Sequence, residues 1–284
     1  MTRLILAVAA GLVVSAGAWA QQAEPKQPKP KSQKEVDAIM AIQNSATPDA
    51  RIKASEDLIT KFADTEFKEF ALQMETLSYQ QKNDYENMVI AGERTLEVNP
   101  DNAVVLITLA EAIPRRTREH DLDKDEKLAK AEKYAKKAQT IIPNLTKFNP
   151  QITDEQWTDY KKNAMSQVHE ALGLIALDRK SYPASEQSFK SAIEISPQPD
   201  PMMFYDLATV YIAQNKYDDA IAALDKSIAA GGVKMGGRDL AADQKDRVMK
   251  AKGAAAAKPA AAPPASGATA APAAPTPPPA QPPK

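Results

Sequence analysis

The chain has 284 residues, with 22 prolines, 10 glycines and no cysteine, and its 36 Lys and Arg almost balance 37 Asp and Glu for a formal net charge of -1. That balance excludes nucleic-acid binding by bulk positive charge, and the missing cysteines exclude a disulfide framework, a thiol nucleophile, thiolate metal sites and a lipid-modified cysteine. Two histidines, His120 and His169, leave little material for a His-based metal site or a nucleophile and base pair.

Residues 1–20 read as a secretory signal peptide: Arg3 is the positive start, residues 4–14 the apolar stretch, and Ala18-Trp19-Ala20 the small-x-small cleavage site. The alternative is an uncleaved anchor, but Gly11, Ser15 and Gly17 interrupt a stretch shorter than the roughly 20 apolar residues that a spanning helix needs. Residues 21–34 follow as a Lys/Pro-rich arm, expected to be disordered. No later segment has 18 apolar residues in a row, so no stable membrane insertion is expected after processing.

From residue 35 to 250 apolar residues recur at three and four, and no run of alternating β-branched residues appears, so helices and no strand are predicted. Residues 35–68 read as a degenerate helix pair that caps the array, with Thr47 as N-cap and Pro48 in the first turn. Residues 69–144 hold two further pairs, the second with a loop longer by 9 residues between its helices. Residues 145–165 are a connector, in which Thr153-Asp154-Glu155-Gln156 is a capping box that extends the next helix to about 154–179.

Residues 166–234 carry the strongest pattern. Leu172-Gly173 is followed by Tyr182, Ser185, Phe189, Ala192 and Pro197, and Leu207-Ala208, 35 residues on, by Tyr217, Ala220, Leu224 and Ser227 at the same spacings. Small residues at the facing positions let two antiparallel helices approach closely, and large ones fill the gaps between pairs. This pattern resembles the tetratricopeptide repeat, a helix-turn-helix unit of about 34 residues. The resemblance carries more faintly to residues 69–144: Tyr79, Tyr85 and Pro100 fall at template positions, while Glu75-Thr76 replaces Leu-Gly and Gly92 replaces phenylalanine. Residues 235–253 are predicted to hold a capping helix, from Arg238 on, after Gly231-Gly232 and Gly236-Gly237, which read as a helix end and a linker. Residues 254–284, with 14 alanines and 10 prolines, are predicted to be a disordered tail.

The resemblance implies an all-α fold, a right-handed superhelix of stacked helix-turn-helix units with disordered Pro-rich ends, whose first helices line a concave groove. Carried over residue by residue, the peptide-binding lining is Gln73, Leu77 and Gln80, then Thr108 and Glu111, then Gln167, Glu170, Leu174 and Asp178, then Tyr205, Asp206 and Thr209. The Lys, Arg and Asn with which some members of the family grip a carboxylate are absent from these positions. Amides, acids and one aromatic suit a neutral or basic segment.

No catalytic constellation is found. His169-Glu170 starts like the zinc motif H-E-x-x-H, but its fifth position is Gly173. Asp121, Asp123, Asp125 and Glu132 have the spacing of a calcium loop, but Glu126 stands where the turn needs glycine, so they read as acids at a helix start. Arg115, Arg116 and Arg118 read as a solvated loop. The expected protein is therefore an exported, periplasmic or secreted bacterial scaffold, not an enzyme, with no cofactor and no metal. Its expected partner is another protein or peptide segment, and not nucleic acid. The alternative is a spacer of the cell envelope, with the Pro-rich arms associated with the cell wall.

Overall fold

A computed structural model of the chain describes residues 28–257 except 148 and 150. The signal peptide, the first part of the arm and residues 258–284 of the tail lie outside the described residues. The described chain is all-α apart from one small hairpin, and its helices pack in consecutive pairs. It divides into two units, residues 1–105 and 106–284.

In the first unit, α1 (Gln33–Gln43) packs on α2 (Pro48–Lys61), α2 on α3 (Lys68–Gln81), and α3 on α4 (Tyr85–Val98). Thr47 caps α2, its hydroxyl accepting from Ala50 N–H at 3.2 Å, and Pro48 supplies a first-turn residue that needs no donor. Ile39, Ile42, Leu58 and Ala71 form the core of α1 to α3. The end of the arm touches the α2–α3 turn: Lys31 Nζ donates to the Asp64 carboxylate at 2.6 Å and Lys29 N–H to Glu66 at 2.9 Å. Acids at the α2–α3 turn thus meet the arm, and α1 begins at Gln33, two residues inside the segment read as arm.

α5 (Ala103–Arg116) crosses the division, and the second unit continues with α6 (Lys124–Ile141), a 3-10 turn at Ile142–Asn144, α7 (Asp154–Asp178), α8 (Tyr182–Ile195), α9 (Pro201–Ala213) and α10 (Tyr217–Ala229). The capping box at Thr153 and Gln156 forms. Trp157 stacks on Tyr160 in the α7 extension, with ring centroids 5.0 Å apart. α7 can lie close to α8 because Gly173 has no side chain: a Cβ there would meet the fully buried Phe189 ring at 3.0 Å. Ser185 Oγ, in the same seam, donates to the Gly173 carbonyl at 2.7 Å.

Three pairs turn in the same way. Asn83, Lys180 and Asn215, just past α3, α7 and α9, all have φ near +58°. The N–H of the following residue bonds back to Tyr79, Ala176 and Tyr211 carbonyls at 2.9, 2.8 and 2.9 Å, a Schellman closure. The α5–α6 connection is the longer loop.

Three sequence expectations are corrected after α10. β1 (Lys234–Met235) pairs antiparallel with β2 (Arg238–Asp239), although no strand is predicted there. Gly236 and Gly237, at φ +55° and +78°, form the two-residue turn with both central φ angles positive that suits a hairpin, rather than a linker. Then α11 (Leu240–Ala257) packs on α10 and enters the segment read as tail by four residues, because alanines at 254–257 are strong helix formers.

Candidate functional site

The residues placed on the groove fall in both units. In the first, Gln73 is half-buried on α3 and its Oε1 accepts from Asn102 Nδ2 at 2.7 Å, beside a second bond from that amide to Glu69 at 2.8 Å. Gln80 is exposed on the last turn of α3, and Leu77 is half-buried.

In the second unit, the first helices α5, α7 and α9 bring Glu111, Glu170 and Asp206 around one guanidinium. Arg115 Nε donates to Glu111 Oε1 at 3.2 Å, and its terminal nitrogen donates to Glu170 and, at 3.2 Å, to Asp206 Oδ2. Glu170 and Asp206 are almost fully buried, while the Arg115 side chain is 30% exposed. The reading of Arg115 as part of a solvated loop is corrected here. It lies in the last turn of α5, which continues through Pro114, and its i,i+4 partner Glu111 is the sequence signal for this placement.

Burial dominates the electrostatics. It raises the Glu170 pKa to about 8, with the Glu111 and Asp206 charges adding and Arg115 opposing. Asp206 rises to about 6 for the same first reason, with Arg115 opposing more strongly than Glu111 adds. Three acidic side chains thus surround one guanidinium, and burial opposes the ionisation of Glu170 most strongly.

The remaining positions surround this cluster on the same three helices. Thr108 is buried on α5, Gln167 is exposed on α7, and Leu174 is buried in the core of α7 to α11. Tyr205 is half-buried, with its side chain packed against that core. Thr209 Oγ1 donates back to the Tyr205 carbonyl at 3.1 Å. Asp178, at the end of α7, has one carboxylate oxygen buried without a hydrogen bond, and burial raises its pKa to about 6 against the pull of Lys124.

The other sequence candidates are engaged structurally. His169 is half-buried on α7, and burial lowers its pKa. Lys127 bridges Asp121 and Asp123 at 3.1 and 2.9 Å, and Glu132 binds Lys136 and Arg179 at 2.5 and 2.6 Å. Among the described residues no helix is long and apolar enough to cross a membrane.

The tetratricopeptide repeat family model matches residues 203–230, the α9–α10 pair. A thermophilic tetratricopeptide-repeat protein of Thermus thermophilus superposes with a TM-score of 0.50 at 18% identity, over 77% of this chain and 98% of that one. The assembly chaperone of RpL4 does so with a TM-score of 0.50 at 12% identity, over 76% and 83%. At these identities the likeness concerns the fold. No curated protein sequence matches the chain. The helix pairs, the turn closures and these matches together support a tetratricopeptide-repeat fold, and such a fold is a scaffold for protein–protein interaction.

Proposed function

We propose that the chain is an exported, non-enzymatic scaffold that binds a neutral or basic segment of another protein on the groove side of α5, α7 and α9. The observation that carries this reading is the gathering of acids on that face: Glu111, Glu170 and Asp206 all pair with Arg115, and Asp178 lies further along α7. A partner's ammonium or guanidinium would supply a further cation, and it would favour the ionised form of Glu170. Binding is then linked to proton release, so affinity for a basic segment rises as pH rises toward and through about 8.

The capture of native partners from the envelope fraction tests the face. Asp178→Lys should slow association, because like charge repels the basic segment during approach, and added salt should slow the wild type toward the same rate. Tyr205→Ala should weaken capture. Because Tyr205 also packs on the core, its melting temperature is measured alongside, and a loss of capture that only follows a loss of fold speaks against a binding role. Export is tested by the mass of the native chain, expected to begin at Gln21. An intact Met1 would contradict it.

The composition of the two ends favours one other reading, an envelope spacer whose Pro-rich arms localise the repeats at the cell wall. Removing residues 258–284 separates the two. Groove binding survives and localisation fails if the tail is the anchor; both survive if it is not.

A further inference from the structure

A second concave surface lies roughly a third of a turn round α9 from Tyr205 and Thr209. Its walls are Ile193 of α8, Phe204, Leu207 and Tyr211 of α9, and Ala222 and Ala223 of α10, around a cavity of about 300 Å³, at the small end for ligand sites. The floor is apolar and aromatic, the exposed Lys190, Glu194, Asp219 and Lys226 form its rim, and none of the groove positions named above lines it.

We propose that the Pro-rich segment after α11, residues 259–284, docks on this groove of its own chain. Three observations converge on that occupant. The first is where the segment starts. Lys245 Nζ binds Asp225 at 2.5 Å and Lys252 binds Asp218, so α11 runs antiparallel to α10 and delivers the chain to the N-terminus of α10. Asp219, the next residue there, is exposed on the rim of the groove.

The second is reach. The α10 wall, from Asp219 to Lys226, is about 10 Å long at 1.5 Å per residue. Nine or ten residues of polyproline II at about 3.1 Å each cover nearly three times that, which leaves ample chain to turn back from the end of α11.

The third is chemistry. Residues 259–283 contain no charged side chain, so the segment itself brings no ionised group to the apolar floor. Pro272, Pro275 and Pro278 recur every three residues, the period of polyproline II, and therefore align along one edge. Aromatic-lined grooves receive such edges at low ordering cost, and the tether supplies a high effective concentration.

Because the chain has no cysteine, Ala273→Cys creates a unique site for a nitroxide label on the full-length protein. Docking predicts selective loss of amide signals around Ile193, Ala222 and Lys226, with the signals of α1 and α2 retained. In a mixture of labelled, isotope-free chains with isotope-enriched chains that lack the nitroxide, the signals should persist, because the contact is within one chain. Ala222→Glu, at an exposed wall position, should restore the lost signals without lowering helicity. Absent or uniform broadening would overturn the proposal, as would loss in the mixed sample, which assigns the groove to a second copy's tail. Loss that survives Ala222→Glu would place the tail elsewhere and overturn it too.

Discussion

The α3–α4 pair and the α7–α8 pair solve one packing problem with opposite distributions of volume. In α7–α8 the first helix gives way, with Gly173, and the second fills the space with Phe189 sixteen residues later. In α3–α4 the first helix carries Thr76, and Gly92 stands sixteen residues later where the phenylalanine was. Thr76 and Thr95 are fully buried, each hydroxyl bonding to the carbonyl four residues back, at 2.9 and 2.8 Å. The repeat therefore requires a summed volume at the seam rather than a residue type at each position.

Charge is distributed as unevenly. Glu75 occupies the position at which Leu172 and Leu207 stand in the later pairs. It is 2% exposed, with Arg94 at 3.4 Å and its other oxygen without a partner. The second unit instead gives its buried acids a close guanidinium, Arg115.

Removal of that guanidinium should have the largest effect. Arg115→Ala leaves Glu170 and Asp206 buried without a cation, and a loss of about 3–5 kcal/mol is expected in denaturant melts at pH 9, where both are ionised beside Arg115 in the parent chain. The loss should shrink at pH 5, where both carboxylates, with pKa values of about 8 and 6 even with Arg115 present, hold protons.

Next comes the seam. Gly173→Leu drives a side chain into the Phe189 ring and should cost about 1–3 kcal/mol or more, read as local loss of hydrogen-exchange protection in α7 and α8 before the rest of the unit.

Glu75 sharpens the comparison in the other direction. Burial raises its pKa to about 7 from the ordinary 4.5, so the folded chain binds this proton more tightly than the unfolded one. Its contribution is therefore intact below about pH 4.5 and is lost as pH rises from there to about 7. Glu75→Leu should stabilise the first unit by about 1–3 kcal/mol at pH 8, with the advantage fading toward pH 4.5, checked by melts across that range.

The smallest effect concerns the turns. Lys180 holds the left-handed conformation that Asn83 and Asn215 take in the equivalent turns. Lys180→Gly should add up to about 1 kcal/mol, less whatever its exposed ion pair with Glu119 contributes, measured as a rise in melting temperature.

These differences also explain what could be read from the sequence. The helix pairs of the second unit are visible because their signature is local: Leu172-Gly173 and Leu207-Ala208 announce the same seam at one spacing. The α3–α4 pair is fainter because Thr76 and Gly92 keep the volume while changing both letters. The Arg115 cluster escapes because its partners Glu170 and Asp206 are 55 and 91 residues away, and because Pro114 reads as a helix stop although α5 runs through it. The hairpin escapes because Gly236-Gly237 is flanked by Lys234, Met235 and Arg238 rather than by β-branched residues.

The binding face is tested most directly by a photo-reactive side chain at Gln167, exposed on α7 among the carboxylates, in the full-length protein in its native envelope. Cross-links to a partner protein through a neutral or basic segment, reduced by Asp178→Lys and by high salt, are the expected result. Cross-links that form only from a control position on α2, with none from Gln167, would contradict a binding role for the face built on α5, α7 and α9.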